Sequence, residues 1–492
     1  MTQWIKRRSD FDTVIVGGGS AGCVLAARLS DDPGRRVLLL EAGPDYGPLA
    51  ANRWPVELLN ELEMPFDSHS WGFDEIDAAR AKVIGGCSAH NASLVVWSAP
   101  GDHERWTALG NDGWSFSAQE PHIERAEATI GAHQDAVGAS SWFVEPFTRA
   151  CESIGYPVLG DANSPEWVNG VGMFRRNVVD GVRRNTAFAY LDPVRDRSNL
   201  TIRGDTLVER VLLDRGQAVG VVVHDREGQH RIEAGSIVIS AGAYLSPAIL
   251  QRSGIGPPQH LQAIEVAVEV PLEGVGSDLH DHAGVVMTFD LGAGAPAAVN
   301  RLPELSLRAA SSLVGDRYWD TQVLIGHGAD DDDPSRSSLW FRVSALDSDS
   351  VGSVRVASTD PTTLPVLDQP WRHLTGHDRR VLEEGLQLVR QIGASAALQP
   401  FIGPETMPGQ QPDLGAWVTA HAEGYWHPTG TCRMGPADDP GAVVDARGRV
   451  HGTRGLRVVD ASIFPTGPRA NTNLPTIAAA EFLATSFGGP DD

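Results

Sequence analysis

Apolar residues along the chain fall into two kinds of pattern. Val14-Ile15-Val16 and Val37-Leu38-Leu39-Leu40 are short runs, apolar at every position. Such runs belong to strands buried on both faces of a parallel sheet. The stretch from Ser20 to Ser30 reads as the helix that joins them. Farther on, Thr201–Arg203, Leu207–Leu213, Ala218–Val223, Arg231-Ile232 and Ser236–Ser240 predict five strands, parted by turn signals such as Asp214-Arg215-Gly216 and Arg226-Glu227-Gly228. Helices are predicted over Glu120–Thr129, Glu145–Ile154 and Arg184–Leu191, with an amphipathic one over Asp378–Ile392. A last helix is expected to begin at Pro475, a residue favoured in a first turn. The middle, from about Ala283 to Trp371, is strand-like and rich in loops, and Leu456–Asp460 reads as a strand ending in an acid. No repeat of solenoid length is visible. Strand–helix units at both ends of a strand-rich middle predict an α/β nucleotide-binding domain built from distant segments and interrupted by a second domain.

Composition narrows the function more than the fold. The 492 residues leave room for two domains. A net charge of -23 argues against nucleic acid or an anionic membrane surface as partner, since both would be repelled. The four cysteines are widely spaced with no C-x-x-C pair, which fits a reducing compartment and no zinc site. No apolar run reaches the length of a membrane span, and the basic residues Lys6, Arg7 and Arg8 lead into a strand, not a signal-peptide core. A cytoplasmic location is the expectation. The acidic run Asp330–Asp333 reads as a solvated loop before it reads as a metal site.

The first strand ends in Gly17-Gly18-Gly19-Ser20-Ala21-Gly22. Gly17, Gly19 and Gly22 fit G-x-G-x-x-G: a tight turn, close approach of backbone to a diphosphate, and close packing of helix on strand. Ser20 and Ala21 would open the helix whose amides and positive dipole end face the phosphates. Glu41 ends the second strand about twenty residues on, where a carboxylate can accept ribose hydroxyls, and Ala42 follows it in the turn. NAD and FAD both satisfy this pattern. A second glycine-bearing loop, Ala81–Asn91, is expected to lead into an apolar, helix-like stretch.

Later blocks choose between the cofactors. Gly242-Ala243-Tyr244-Leu245-Ser246-Pro247-Ala248-Ile249-Leu250-Gln251-Arg252-Ser253-Gly254-Ile255-Gly256 resembles the second signature of the glucose-methanol-choline (GMC) oxidoreductases. Gly274–His282, His427-Pro428-Thr429-Gly430-Thr431-Cys432-Arg433-Met434-Gly435, Leu456–Pro465 and Asn471–Ile477 follow in that family's order. The resemblance covers nearly the whole chain. It implies FAD, and it implies a Rossmann-like FAD-binding domain over 10–130, 195–290 and 425–490, with a substrate domain over 131–194 and 291–424 built on an antiparallel sheet. It also implies cofactor contacts at Gly86, His90, Asn91, Val208, Ala241, Gly242, Asp460, Ala461, Asn471, Thr472 and Thr476. The chain is short for the family, mostly between Asp290 and Ala345.

Oxidation of an alcohol requires a base for the hydroxyl proton while hydride leaves the carbinol carbon. A neutral imidazole, with an ordinary pKa of about 6.5, suits that task. The resemblance implies that His427 is the base and that Asn471 orients the alkoxide. Gly85-Gly86-Cys87-Ser88-Ala89-His90-Asn91 resembles the loop of the choline-oxidising branch, where the histidine is bonded to the flavin. Here His90 is either the attachment point or a histidine packed on the ring edge. His280 and His282 flank Asp281 as H-x-H, for which a structural role is preferred to a metal site. Cys432, beside the base, has nothing near it that suggests a nucleophile. Tyr425, Trp426, Trp71 and Trp97 could form an aromatic wall able to hold a quaternary ammonium, though no anionic partner is identifiable. The expected function is FAD-dependent oxidation of a small-molecule alcohol, with oxygen or a quinone-like acceptor, by a monomer or homodimer. The alternatives are a lyase resembling the hydroxynitrile lyases, with flavin kept as structure, and a flavin-bound protein without a substrate of its own.

Overall fold

In the computed structural model, residues 10–488 are described apart from 135–140, 165, 297–301, 316–317 and 330–336. The acidic run at 330–333 and the basic residues at 6–8 therefore lie outside the described residues.

Strand β1 (Phe11–Val16), helix α1 (Ser20–Leu29) and β2 (Val37–Leu40) form the first unit, with Val14, Ile15 and all of β2 buried. Helix α2 (Phe116–Ile130) and β3 (Gly170–Met173) come next. They are followed by β4 (Leu200–Arg203), β5 (Leu207–Asp214), β6 (Gln217–Asp225), β7 (Gly228–Ile239) and α3 (Gly242–Arg252). The larger sheet has the order β4-β2-β1-β7-β6-β5. β1 is parallel to both β2 and β7, while β6 pairs antiparallel with β5 and with the first half of β7. The chain returns to this sheet near its end, where β13 (Leu456–Val458, named in chain order) lies parallel to β7.

Between these visits runs the second sheet, made of β3, β8 (Ala283–Leu291), β9 (Leu305–Ala309), β10 (Thr321–Ala329), β11 (Ser337–Ala345) and β12 (Ile402–Met407). Its order is β12-β8-β11-β10-β9-β3 and every pairing is antiparallel. Helix α4 (Gly376–Gly393) lays the apolar face Val381, Leu382, Leu386, Val389 and Ile392 on it. Thr375 caps α4 by accepting from the Asp378 amide, as a side-chain oxygen at that position should. Helix α5 (Asn473–Ala484) closes the chain; it is buried along most of its length and packs on α1 and α2.

Several expected elements take another form. The strands expected at 231–232 and 236–240 are one strand, β7. Gly235 within it is no break, because a Cβ there would sit 3.0 Å from the Asp12 carbonyl of β1. The stretch after the second glycine loop is not helical. Residues 86–89 make one tight turn, the two-residue strand Leu94–Val95 follows, and the next helix begins only at Pro100. Gly85 and Gly86 hold φ of 90° and 53°, a left-handed start that a helix cannot continue. The last helix begins at Asn473, two residues before Pro475, so the proline still occupies its first turn. The expected segment limits also shift. β8 starts at Ala283, so its strand crosses the limit placed at 290, while residues 187–191 pack in the core of the larger sheet rather than with the second.

Candidate active site

A cavity of about 1080 Å³ runs from the glycine turn of β1 to the face of the second sheet. Its walls come from both sheets: Gly17, Glu41, Val208 and Asp460 at one end, Val286, Leu324 and Trp340 at the other. Gly17, Gly19, Ser20, Ala21, Glu41, Ala42, Gly86, His90, Asn91, Val208, Ala241, Gly242, Asp460, Ala461, Asn471, Thr472 and Thr476 all border it. Gly22 does not; it lies beneath the turn, where a Cβ would meet the Gly17 carbonyl oxygen at 1.9 Å.

The nucleotide end is built by close backbone approach. Gly17 has φ 101°, and a Cβ on it would strike the Ser240 carbonyl oxygen at 2.5 Å. A Cβ on Gly86 would come within 2.7 Å of the Gly19 Cα, so the second glycine loop rests directly on the first. No side chain caps α1, which leaves its first amides free toward the cavity. The Glu41 carboxylate accepts from the Gly18 and Gly43 amides, both at 2.8 Å. Burial pushes its pKa up to about 7, against those hydrogen bonds and Lys82, which lower it. Asp460 accepts from the Gly242 amide at 2.9 Å and from the Ser246 hydroxyl at 2.5 Å, tying α3 to the segment after β13. Ser20 donates to Asn473 across 2.7 Å and joins the starts of α1 and α5. Open amides, a close glycine cradle and a ribose-accepting carboxylate fit the ADP portion of FAD. At the other end of the loop His90 is buried, its Nδ1 is without a hydrogen-bond partner, and burial lowers its pKa to about 3.

His427 and Asn471 meet where the cavity reaches the second sheet. Asn471 Nδ2 lies 3.2 Å from His427 Nε2. His282, expected to be structural, stands behind the base: its Nδ1 is 3.0 Å from His427 Nδ1, and its Nε2 is 3.0 Å from the Pro468 carbonyl oxygen. These contacts fix the protons. A carbonyl can only accept, so His282 carries its hydrogen on Nε2. Burial holds the His282 pKa down at about 4, so the ring is neutral and its Nδ1 accepts. His427 therefore donates from Nδ1, and its unprotonated Nε2 accepts from the Asn471 amide. Burial, then His282, Arg80 and Arg342, push the His427 pKa well below the usual imidazole range. His427 borders the cavity.

Backbone holds the base in place. Asp281 Oδ1 accepts from the amides of His282 at 2.7 Å and His427 at 3.0 Å. Burial raises the Asp281 pKa to about 6. Trp426 adopts φ 59°, a left-handed conformation costing a large residue about 1–3 kcal/mol. Its indole donates to the Ile76 carbonyl at 2.8 Å, which anchors the turn that presents His427.

The remaining candidates divide. Tyr425, Trp426 and Trp71 line the cavity, whereas Trp97 lies away from it and donates to Glu127 at 3.2 Å. His280 is partly buried and lies outside the cavity, and its backbone exchanges hydrogen bonds with Thr429. Among the described residues no group of three or more metal-ligating side chains comes together. Cys432 is buried, and desolvation pushes its thiol up, away from nucleophilic use. Arg80, Asp77, Arg342 and Glu423 also border the cavity and went unmarked in the sequence. Asp281-His282 could have been read as paired with His427 from its own family block; Arg342, inside a strand, carries no local signal.

Comparison with known proteins adds identity to geometry. Two family models described as GMC oxidoreductase match the chain, one over residues 11–284 and the other over 348–480. A mitochondrial choline dehydrogenase from Mus musculus is 32% identical, over 98% of this chain and 90% of its own. Oxygen-dependent choline dehydrogenase 1 from Chromohalobacter salexigens is 30% identical, over 98% and 95%. The crystal structure of pyridoxine 4-oxidase from Mesorbium loti superposes with a TM-score of 0.88 at 30% identity, over 97% of this chain and 99% of that one.

Proposed function

The chain belongs to the GMC oxidoreductases, FAD enzymes acting on CH–OH donors, and on that premise we propose that it oxidises an alcohol to an aldehyde or ketone with His427 as base. One observation supports the residue roles above the others: the hydrogen-bond chain Pro468–His282–His427, which leaves His427 Nε2 unprotonated, an acceptor whose partner in the free protein is Asn471 Nδ2. The substrate hydroxyl donates to the Nε2 lone pair. The hydroxyl replaces Asn471 Nδ2 on Nε2, and the amide then donates to the alcohol oxygen and steadies the charge that grows on it. The positive charges of Arg80 and Arg342 make the imidazole a weak base, but they also lower the pKa of an alcohol bound there, so the proton transfer remains balanced. When bound, FAD supplies the acceptor for the hydride. The same chain of imidazoles keeps Nδ1 paired after Nε2 takes the proton.

The relatives are named for oxidation of choline and pyridoxine, which favours alcohol oxidation over the lyase alternative. Adding alcohols without oxygen should bleach the flavin band, and His427→Ala should slow that reduction on the order of a hundredfold with flavin content retained. No bleaching with any alcohol, alongside cleavage of a cyanohydrin, would establish the lyase. Following peroxide and dye reduction together under air identifies the acceptor.

His90 is the proposed attachment point of the flavin. The support is its place on the loop that rests on the first glycine turn, with a neutral ring and an unpartnered Nδ1. After acid precipitation the yellow colour should stay with the protein; colour wholly in the supernatant leaves His90 a packing residue.

A further inference from the structure

The aromatic wall beside the base is already occupied by the protein's own cations. The Arg342 guanidinium lies 4.8 Å from the Tyr425 ring centroid and 5.4 Å from that of Trp426. The Lys82 ammonium lies 4.8 Å from Trp71, and the Arg80 guanidinium 4.8 Å from Tyr244. All four rings border the cavity. A ring face beneath a guanidinium is no longer an attractive seat for a second cation, since the two positive charges repel.

Arg342 is built into this position. It projects from β11 opposite Val286 of β8, pairs with the Glu423 carboxylate, and donates to the Gly424 carbonyl at 2.5 Å. Its side chain is only 8% exposed. Gly284 of β8 makes room for it: a Cβ there would lie 2.9 Å from Arg342 Nη2, so any side chain at 284 would displace the guanidinium. Glu423, an acid bordering the same cavity, is thereby engaged within the protein. Trp426 is further stacked on Phe66, with centroids 5.1 Å apart and planes 20° from parallel. Asp77 is the other carboxyl of this cluster, beside Glu423 and Arg342 and receiving the Gly424 amide.

We propose that Arg342 is a specificity-determining residue that takes the seat of a substrate cation, so that this enzyme oxidises uncharged alcohols with an apolar body and rejects quaternary-ammonium alcohols. The proposal rests on the alcohol-oxidation reading and narrows its substrate class. It separates this chain from relatives that are named for choline yet similar over nearly its full length.

Choline and 3,3-dimethylbutan-1-ol differ only in a quaternary nitrogen replaced by carbon, so the pair isolates charge. With the flavin-loaded enzyme, kcat/KM for the neutral alcohol should exceed that for choline at least tenfold. Arg342→Ala empties the seat and frees Glu423, and should move the ratio at least tenfold toward choline; Arg342→Lys keeps the charge and should keep the preference. A wild-type preference for choline overturns the proposal, and so does a folded, flavin-loaded Arg342→Ala with an unchanged ratio. Choline oxidation abolished by Asp77→Asn would make Asp77 the partner of a substrate ammonium and likewise refute it. If Arg342→Ala does not fold, the wild-type ratio and the lysine variant decide. Should no alcohol of a wider panel reduce the flavin, it is the oxidation reading that fails. Dissociation constants for the same pair, read from perturbation of the flavin band, then still test whether charge is rejected.

Discussion

At the scale of single residues, the tautomer of His427 is set by a backbone carbonyl two hydrogen bonds away. The Pro468 oxygen can only accept, which orients His282, which in turn leaves His427 Nε2 unprotonated. Two consequences are measurable. The His427 pKa is pushed well below the usual imidazole value by burial and by three positive or polarisable neighbours. A lowered pKa means that the neutral base persists as pH falls, so the rate of flavin reduction should run flat from about pH 8 to 6, without the acid limb near 6.5 expected of an ordinary histidine. His282→Ala removes both the acceptor at Nδ1 and one of the influences that depress His427. Reduction should slow about tenfold, the effect of one well-placed hydrogen bond, and an acid limb should rise toward pH 6.5. A rate fall with no movement of the pH profile would mean that His282 only packs. His427 and Asn471 were legible in the sequence because their blocks resemble the family's. His282 was named there too, as structural in preference to metal-binding, but its contact with His427 Nδ1 was not legible, because an H-x-H spelling says nothing of which ring nitrogen meets what.

At the scale of elements, the strand–turn–helix of β1 and α1 is the most legible part of the chain, because a glycine turn between an apolar run and a helix has few other readings. The structure gives the reason for each glycine, and Gly22 is the sharpest. An alanine there would place its Cβ 1.9 Å from the Gly17 carbonyl oxygen, which is backbone and cannot swing aside. Gly22→Ala should therefore lift α1 off the turn and reduce bound flavin on purification severalfold, with a lower Tm. Gly160→Ala, where a Cβ meets nothing within 4 Å, should leave both unchanged. The poorly read elements fail for one shared reason. Residues 92–98 are apolar because they are buried between several elements, not along one helix face, and Gly235 is glycine because β1 passes close by. Neither circumstance has a local signature.

At the scale of the molecule, two sheets share one cavity, and the chain visits the larger sheet at its start, centre and end. No described helix is long and apolar enough to cross a membrane. The sequence by itself determined the α/β class, the dinucleotide turn and the cofactor through five ordered blocks, and it singled out His427 and Asn471, which the fold brings within 3.2 Å of each other. Those properties are written in short contiguous stretches, where spacing alone fixes geometry. Tertiary structure decided the rest: which tautomer the base holds, which acid pins its backbone, and what occupies the aromatic wall. Arg342 shows why. It reaches Glu423, Tyr425 and Trp426 only because β11 lies beside β8 and a glycine on β8 leaves space, and pairing between strands 50 or so residues apart is fixed by long-range packing rather than by local pattern.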